Sequence, residues 1–389
     1  MRNHCSSITS WPPKSAAAST NSQRGGEVGF ETLRSTLSPL SVGVGRLRCE
    51  GRGMSSPPRS PRLDFIDHLK AIGIVLVVVG HAAATPQAWA TAIYAFHVPL
   101  FFWISGFLLG LDHRPPATAQ AIGRRVRALW WPYVAFFVLS WGYALATAPL
   151  AGDGGELLHA PWYRPLLALL RGRSEDLSVN VALWFFPCLI VVQVAYGLLR
   201  RVASAGVAAI PCVALATVVS AAAWQPDPRW PWEIDTAIVA IGFFALGVVS
   251  PAPVAWLAGR GRATLAALAL GAAGLGWLAV QHNGRVDLQM MNFGRVGPLF
   301  LPTALLGILM CLAATLRLPA LGVSRWVADR ALLIFPSHLL VFNALSGAVM
   351  LLGLPRELKL DAWFGALSVL LGLAAGGPLG AAWARLQRR

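Results

Sequence analysis

The sequence predicts an all-α protein, a polytopic membrane helical bundle of about ten transmembrane helices with both termini cytoplasmic. Three observations lead there. Of its 389 residues, 56% are hydrophobic and only 13% are charged, whereas a soluble chain carries about 25% charged residues. The apolar residues gather in ten runs, each near the roughly 20 residues a helix needs to cross the hydrocarbon of a bilayer. The basic residues lie between these runs, and every second loop is enriched in them. The formal charge of +15 is therefore read as loop charge held on one face of a lipid bilayer, and nucleic acid is excluded as a partner.

The runs cover residues 66–84, 93–111, 129–148, 180–199, 204–223, 235–256, 263–281, 296–316, 331–353 and 362–384. The sixth is the weakest, because Pro251 and Pro253 break its end. With the N-terminus inside, the inner loops hold fourteen Lys and Arg against eight outside, and the acidic residues run the other way, two against ten. A nine-span arrangement would reverse the sign of every later loop. The longest loop, 149–179, falls outside and carries Asp153, Glu156, Glu175 and Asp176; it either covers the outer mouth of the bundle or is a plain solvated loop. Trp89, Trp130, Trp131, Trp184, Trp232 and Trp326 stand near span ends and read mostly as interface anchors.

Residues 1–60 differ from the rest. They are rich in Ser, Gly, Pro and Arg, with eight Lys and Arg against three Glu, and they contain no apolar stretch of secretory type. The segment reads as a disordered tail or as sequence upstream of a true start at Met54, which leaves 61–389 as the membrane domain. Cys5, Cys49, Cys188, Cys212 and Cys311 show neither a CxxC pair nor metal spacing. Those in apolar runs read as small core residues.

Chemistry concentrates between Arg62 and Gly110. Two apolar runs there each hold a histidine, His81 and His97, and titratable groups in apolar spans default to functional candidates. Lys70 and His81 are eleven residues apart, which places them on one helix face about 16 Å apart along the axis. Lys70 would then lie at the membrane edge and His81 deep inside. Gly80 and Ala82, Ala83 and Ala84 surround His81 with small side chains that leave room for a close helix or a ligand. A neutral imidazole suits removal of a hydroxyl proton near neutral pH; the structural alternative is a histidine bonded between helices. Pro99 should kink the second run near His97, which could act as a second acid or base, a ligand contact or a partner for His81. Arg124 and Arg127 share a face at i, i+3, where paired guanidiniums suit phosphates, with Arg62 and Lys70 on the same side; a plain positive-inside anchor explains the same charge. His338 is the third histidine in an apolar run, just after Pro336, which should break that run locally. Trp184, Asp235, and Asp287 with Asn292 are weaker candidates. No HxH or HxxxH spacing and no acidic partner supports a metal.

These pieces together resemble membrane-bound acyltransferase family 3, and within it the fucose 4-O-acetylase-like branch. The matching segments are the basic-x10-His spacing from Lys70 to His81, ending in VVVGH; FHVPLFFWISGFLL at 96–109; and RRVRALWWPY at 124–133, with its RxxR. LWFF at 183–186, the region 235–247 and the late run with His338 match more weakly. Lys70 stands where many members have Arg. The resemblance implies transfer of an acyl group, usually acetyl, from cytoplasmic acyl-CoA to a hydroxyl of a sugar or related glycan, and so polysaccharide modification. It implies that His81 is the essential residue and that Arg124 and Arg127 serve the donor side.

The residues and the resemblance give one expectation. Arg124, Arg127 and Lys70 hold the phosphates of acetyl-CoA, the acyl donor co-substrate. His81 and His97 carry the catalysis, and no metal takes part. The enzyme is multi-pass in a bacterial cytoplasmic membrane. The competing class is a proton-coupled transporter or flippase for a glycan or amphipathic solute, with the histidines as a proton relay; the absence of a visible internal repeat weakens it.

Overall fold

All ten apolar runs become helical in the computed structural model, which describes residues 63–112, 118–151 and 161–386. The extension 1–60 with Met54, and Arg62, Asp153 and Glu156, fall outside the described residues. The helices are α1 (Asp64–His81), α2 (Gln87–Tyr94), α3 (His97–Gly110), α4 (Ala119–Thr147), α5 (Arg164–Arg171), α6 (Phe185–Leu199), α7 (Ala205–Ala221), α8 (Ile234–Val249), α9 (Pro251–Ala258), α10 (Arg262–Asn283), α11 (Phe300–Thr315), α12 (Gly322–Leu351), α13 (Ala362–Ala374) and α14 (Gly376–Leu386). Among the described residues, eight helical segments are long and apolar enough to cross a membrane. The two remaining expected spans fall short for visible reasons. Asp64, Asp67 and Lys70 make α1 too polar, and α7 has 17 residues.

The breaks follow proline chemistry. Pro99 sits in the first turn of α3, and the chain breaks just before it, at Phe96 (φ −144°), because a proline ring tolerates only the first turn of a helix. Pro251 likewise separates α8 from α9. Pro132 and Pro336, in contrast, are accommodated inside α4 and α12, as membrane helices allow when neighbours satisfy the freed backbone groups.

The centre of the bundle is the pair α3 and α8. A Cβ on Gly106 would run into the carbonyl of Phe244, and one on Gly247 into the carbonyl of Trp103. Two helix backbones touch where side chains are missing, the contact that small residues permit between membrane helices. Helix α1 packs on α12 and α3 around Leu69, Ile74 and Val78, all 0% exposed. Cys188, Cys212 and Cys311 are buried free thiols, as small core residues should be. Trp184 departs from the expectation: it is buried at the start of α6 and packs edge-on to Phe185 rather than anchoring at an interface, because the short 3-10 turn Val181–Trp184 folds inward.

Candidate active site

The site begins with the end of α1. Its last residue is His81, and Ala82 already has extended backbone. The hydroxyl of Thr85 donates to the carbonyl of Val79 at 2.6 Å and closes the helix. His81 therefore stands at a helix terminus and is partly exposed, not deep within a span running to residue 84. The small residues around it act as expected: a Cβ on Gly80 would lie 3.4 Å from the Tyr94 ring, and Gly365 faces Ala84.

Four rings form a row at this end. His338 and His81 are 5.0 Å apart between centroids, His81 and Tyr94 5.9 Å, and Tyr94 and His97 5.0 Å. The sequence candidates His81 and His97 are thus brought into one site, with Tyr94 between them. His338 joins from α12. Each imidazole points Nδ1 at a backbone carbonyl of its own helix region: His81 at Val77 (2.9 Å), His97 at Ile93 (2.8 Å) and His338 at Phe335. A carbonyl can only accept, so Nδ1 carries the proton in each case. Each neutral ring then presents its lone pair at Nε2, the atom a general base needs. In His97 the bond spans the helix break and shares the Ile93 carbonyl with the Phe96 backbone N–H, which donates to it at 3.2 Å.

The loop between α10 and α11 closes over this row. Asp287 and Asn292 exchange backbone hydrogen bonds of 2.8 and 2.9 Å. Asn283 staples the base of the loop, donating to the Phe293 carbonyl at 2.9 Å and accepting from the Val296 amide at 2.7 Å. Gly294 (φ 85°) lies so close to Asn283 that a side chain there would clash. The loop delivers Arg285, whose guanidinium lies 4.3 Å over the Tyr94 ring, a cation–π contact. Arg285 and Asp287 both act electrostatically on His81. Burial pushes the Asp287 carboxyl above its usual range, held back by the Met290 amide and by Arg285. Asp287 and Asn292 were weak sequence candidates; Tyr94 and Arg285 carried no signal, since a tyrosine in an apolar run and an arginine in a loop are ordinary.

The basic candidates lie elsewhere. Lys70 is half-buried on α1, about 16 Å along the axis from His81. Arg124 and Arg127 are exposed in the first turns of α4. Arg125 between them is tied to Asp112, just past the far end of α3, at 3.3 Å. Arg125 thus sits at the opposite end of α3 from His97.

A second polar cluster lies near the row. Arg229 binds Glu233 at 2.9 Å, Thr236 at 2.6 Å, Asp235, and the Gln289 carbonyl at 2.6 Å. The Ser174 amide donates to Glu233 at 2.6 Å. Asp235, a weak candidate, is thus an internal ion-pair partner. Through Gln289 the cluster anchors the loop that carries Arg285 and Asp287. It also holds Trp232 (φ 60°) and Glu233 (φ 52°) in left-handed backbone, a conformation disfavoured for residues with a Cβ. Stacking of Trp232 on Trp130, 5.7 Å between centroids, helps to fix it.

Comparison with known proteins places this arrangement. Residues 63–380 match the profile of acyltransferase 3, described as an acyltransferase domain. The chain belongs to that family. Nodulation protein NolL of Sinorhizobium fredii is 34% identical over 110 residues, covering 26% of this chain and 29% of the relative. NolL of Mesorhizobium japonicum is 31% identical over 106 residues, covering 25% and 28%. The chain thus spans less than a third of the length of these curated relatives. No solved structure matches. In the acyltransferase 3 domain described here, the matched region contains the imidazole row, the loop 284–296 and the basic residues. Among the described residues, no group of three or more His, Cys, Asp or Glu is placed to hold a metal ion.

Proposed function

We propose that the protein is a multi-pass membrane O-acyltransferase, with both termini on the cytoplasmic side of a bacterial cytoplasmic membrane. It moves an acetyl or other short acyl group from acyl-CoA to a hydroxyl of a sugar or glycan. The observation that carries this reading is the Nδ1–H of His81 committed to the Val77 carbonyl at 2.9 Å. That bond leaves Nε2 as a base at the partly exposed end of α1.

In the proposed reaction, Nε2 of His81 takes the proton of the acceptor hydroxyl. The hydroxyl oxygen bonds to the thioester carbonyl carbon, the C–S bond breaks, and the CoA sulfur receives the proton from the imidazolium. One ester and one free thiol form, and His81 returns to its starting state. Asp287 stabilises the transient imidazolium. Arg285 and the Tyr94 hydroxyl stand beside it for the negative charge that develops on the carbonyl oxygen. His97 orients Tyr94. The CoA phosphates sit on Arg124 and Arg127, with Lys70 along the route, and the pantetheine arm covers the distance to His81.

Membranes containing the protein, given radiolabelled acetyl-CoA, should place label on glycan. Proton-coupled solute flux with no label on any acceptor would establish the transporter class instead.

A further inference from the structure

The proposed reaction uses one imidazole, yet a second lies against it. His338 is 0% exposed. Its Nδ1 faces the Phe335 carbonyl, and its Nε2 is buried with no hydrogen-bond partner. Phe335 and Phe342 flank the ring at 6.2 and 5.7 Å between centroids and supply no donor. A second orphan lies close by in the chain packing. Asn180 donates from its amide nitrogen to the Pro336 carbonyl at 2.8 Å and to the Ser140 hydroxyl at 2.9 Å, while its own Oδ1 is buried without a donor. Buried polar atoms are almost always satisfied, so orphans call for an explanation. Both of these atoms are acceptors, so any partner that satisfies them, a water or a guest, must bring O–H or N–H protons.

The His81 nitrogen has the same character. With Nδ1–H committed to Val77, its Nε2 can only accept while the ring is neutral. Two acceptor nitrogens on rings 5.0 Å apart cannot bond to each other. They can be bridged by two donors on neighbouring atoms of one molecule. We propose that His338 is an acceptor-binding residue, and that the acceptor is a 1,2-diol such as neighbouring hydroxyls of a sugar ring: one hydroxyl gives its proton to His81, and the next donates a hydrogen bond to Nε2 of His338. This inference rests on the acyl-transfer reading above and names the substrate class of that site.

The test uses membranes containing the full chain, acetyl-CoA, and propane-1,2-diol or propan-1-ol as the probe acceptor, with release of CoA thiol as the readout. The wild type should favour the diol by about tenfold in kcat/KM, the size of one hydrogen bond. His338→Leu should bring that ratio close to one, whereas His338→Gln, whose side-chain oxygen can accept, should keep most of it. His338→Asn, with the acceptor drawn back, replaces the leucine variant if that one does not fold. A wild-type ratio near one, or a ratio that survives His338→Leu, overturns the proposal. If His338 only steadied protonated His81, both alcohols would slow together and the ratio would persist. Label on membrane glycan with no diol preference would sink this inference and leave the acyl-transfer reading standing; no label on any acceptor would sink that reading.

Discussion

Two polar clusters share one end of this bundle, and they differ in how completely they are satisfied. Around Arg229 the charges close on themselves: Glu233 and Asp235, both 0% exposed, are met by the guanidinium, the Ser174 amide and Thr236. Around His81 they do not. The His338 nitrogen and the Asn180 oxygen lack donors, His81 is partly open, and Arg285 is exposed above Tyr94. A fully satisfied network rigidifies its surroundings, whereas unmet acceptors leave hydrogen bonds still to be made. The first holds the loop 284–296 through Gln289, and that loop brings Arg285 and Asp287 to the second. Scaffold and site are thus neighbours with opposite chemistry.

That contrast can be broken from either side. The largest effect belongs to the scaffold. Arg229→Ala leaves two buried carboxylates unpaired, which should cost about 3–5 kcal/mol, so the purified variant should melt far below the wild type and lose acyl transfer with its fold. A melting temperature close to that of the wild type would show that the cluster is dispensable. Next comes the basic region. Arg124→Gln combined with Arg127→Gln removes two exposed charges and should raise the KM for acyl-CoA several-fold with kcat little changed, as loss of uniform binding does; unaltered donor kinetics would assign these arginines to topology alone.

The smallest effect is a pH dependence. The Asp287 carboxyl is raised by burial, so folding favours its protonated form. Its contribution to stability is full below the ordinary carboxylate value and is lost as pH rises through the raised one. Asp287→Asn should flatten the melting temperature across that acidic window, while slowing transfer at neutral pH because the imidazolium loses its counter-charge. A slope unchanged by the substitution would remove Asp287 from the balance.

Much of this was legible in the sequence. Run lengths and loop charges gave the helices, and Pro99 and Pro251 marked breaks that the structure shows. His81 and His97 stood out because titratable groups are rare in apolar runs. What escaped was long-range. Nothing local says that His338, more than 250 positions from His81 in the chain, packs against it. Nor does a loop reveal that Arg285 will lie over Tyr94, because pairing across a bundle depends on helix order and tilt rather than on periodicity. Trp184 shows the same limit: an aromatic residue at a span end has no mark to distinguish anchor from core.

His81→Ala provides the most direct measurement. Transfer from radiolabelled acetyl-CoA to membrane glycan should fall on the order of 10²–10⁴-fold, the contribution of a positioned general base, while the melting temperature stays near that of the wild type. A folded His81→Ala protein that transfers acetyl at the wild-type rate would contradict the assignment of this imidazole as the base.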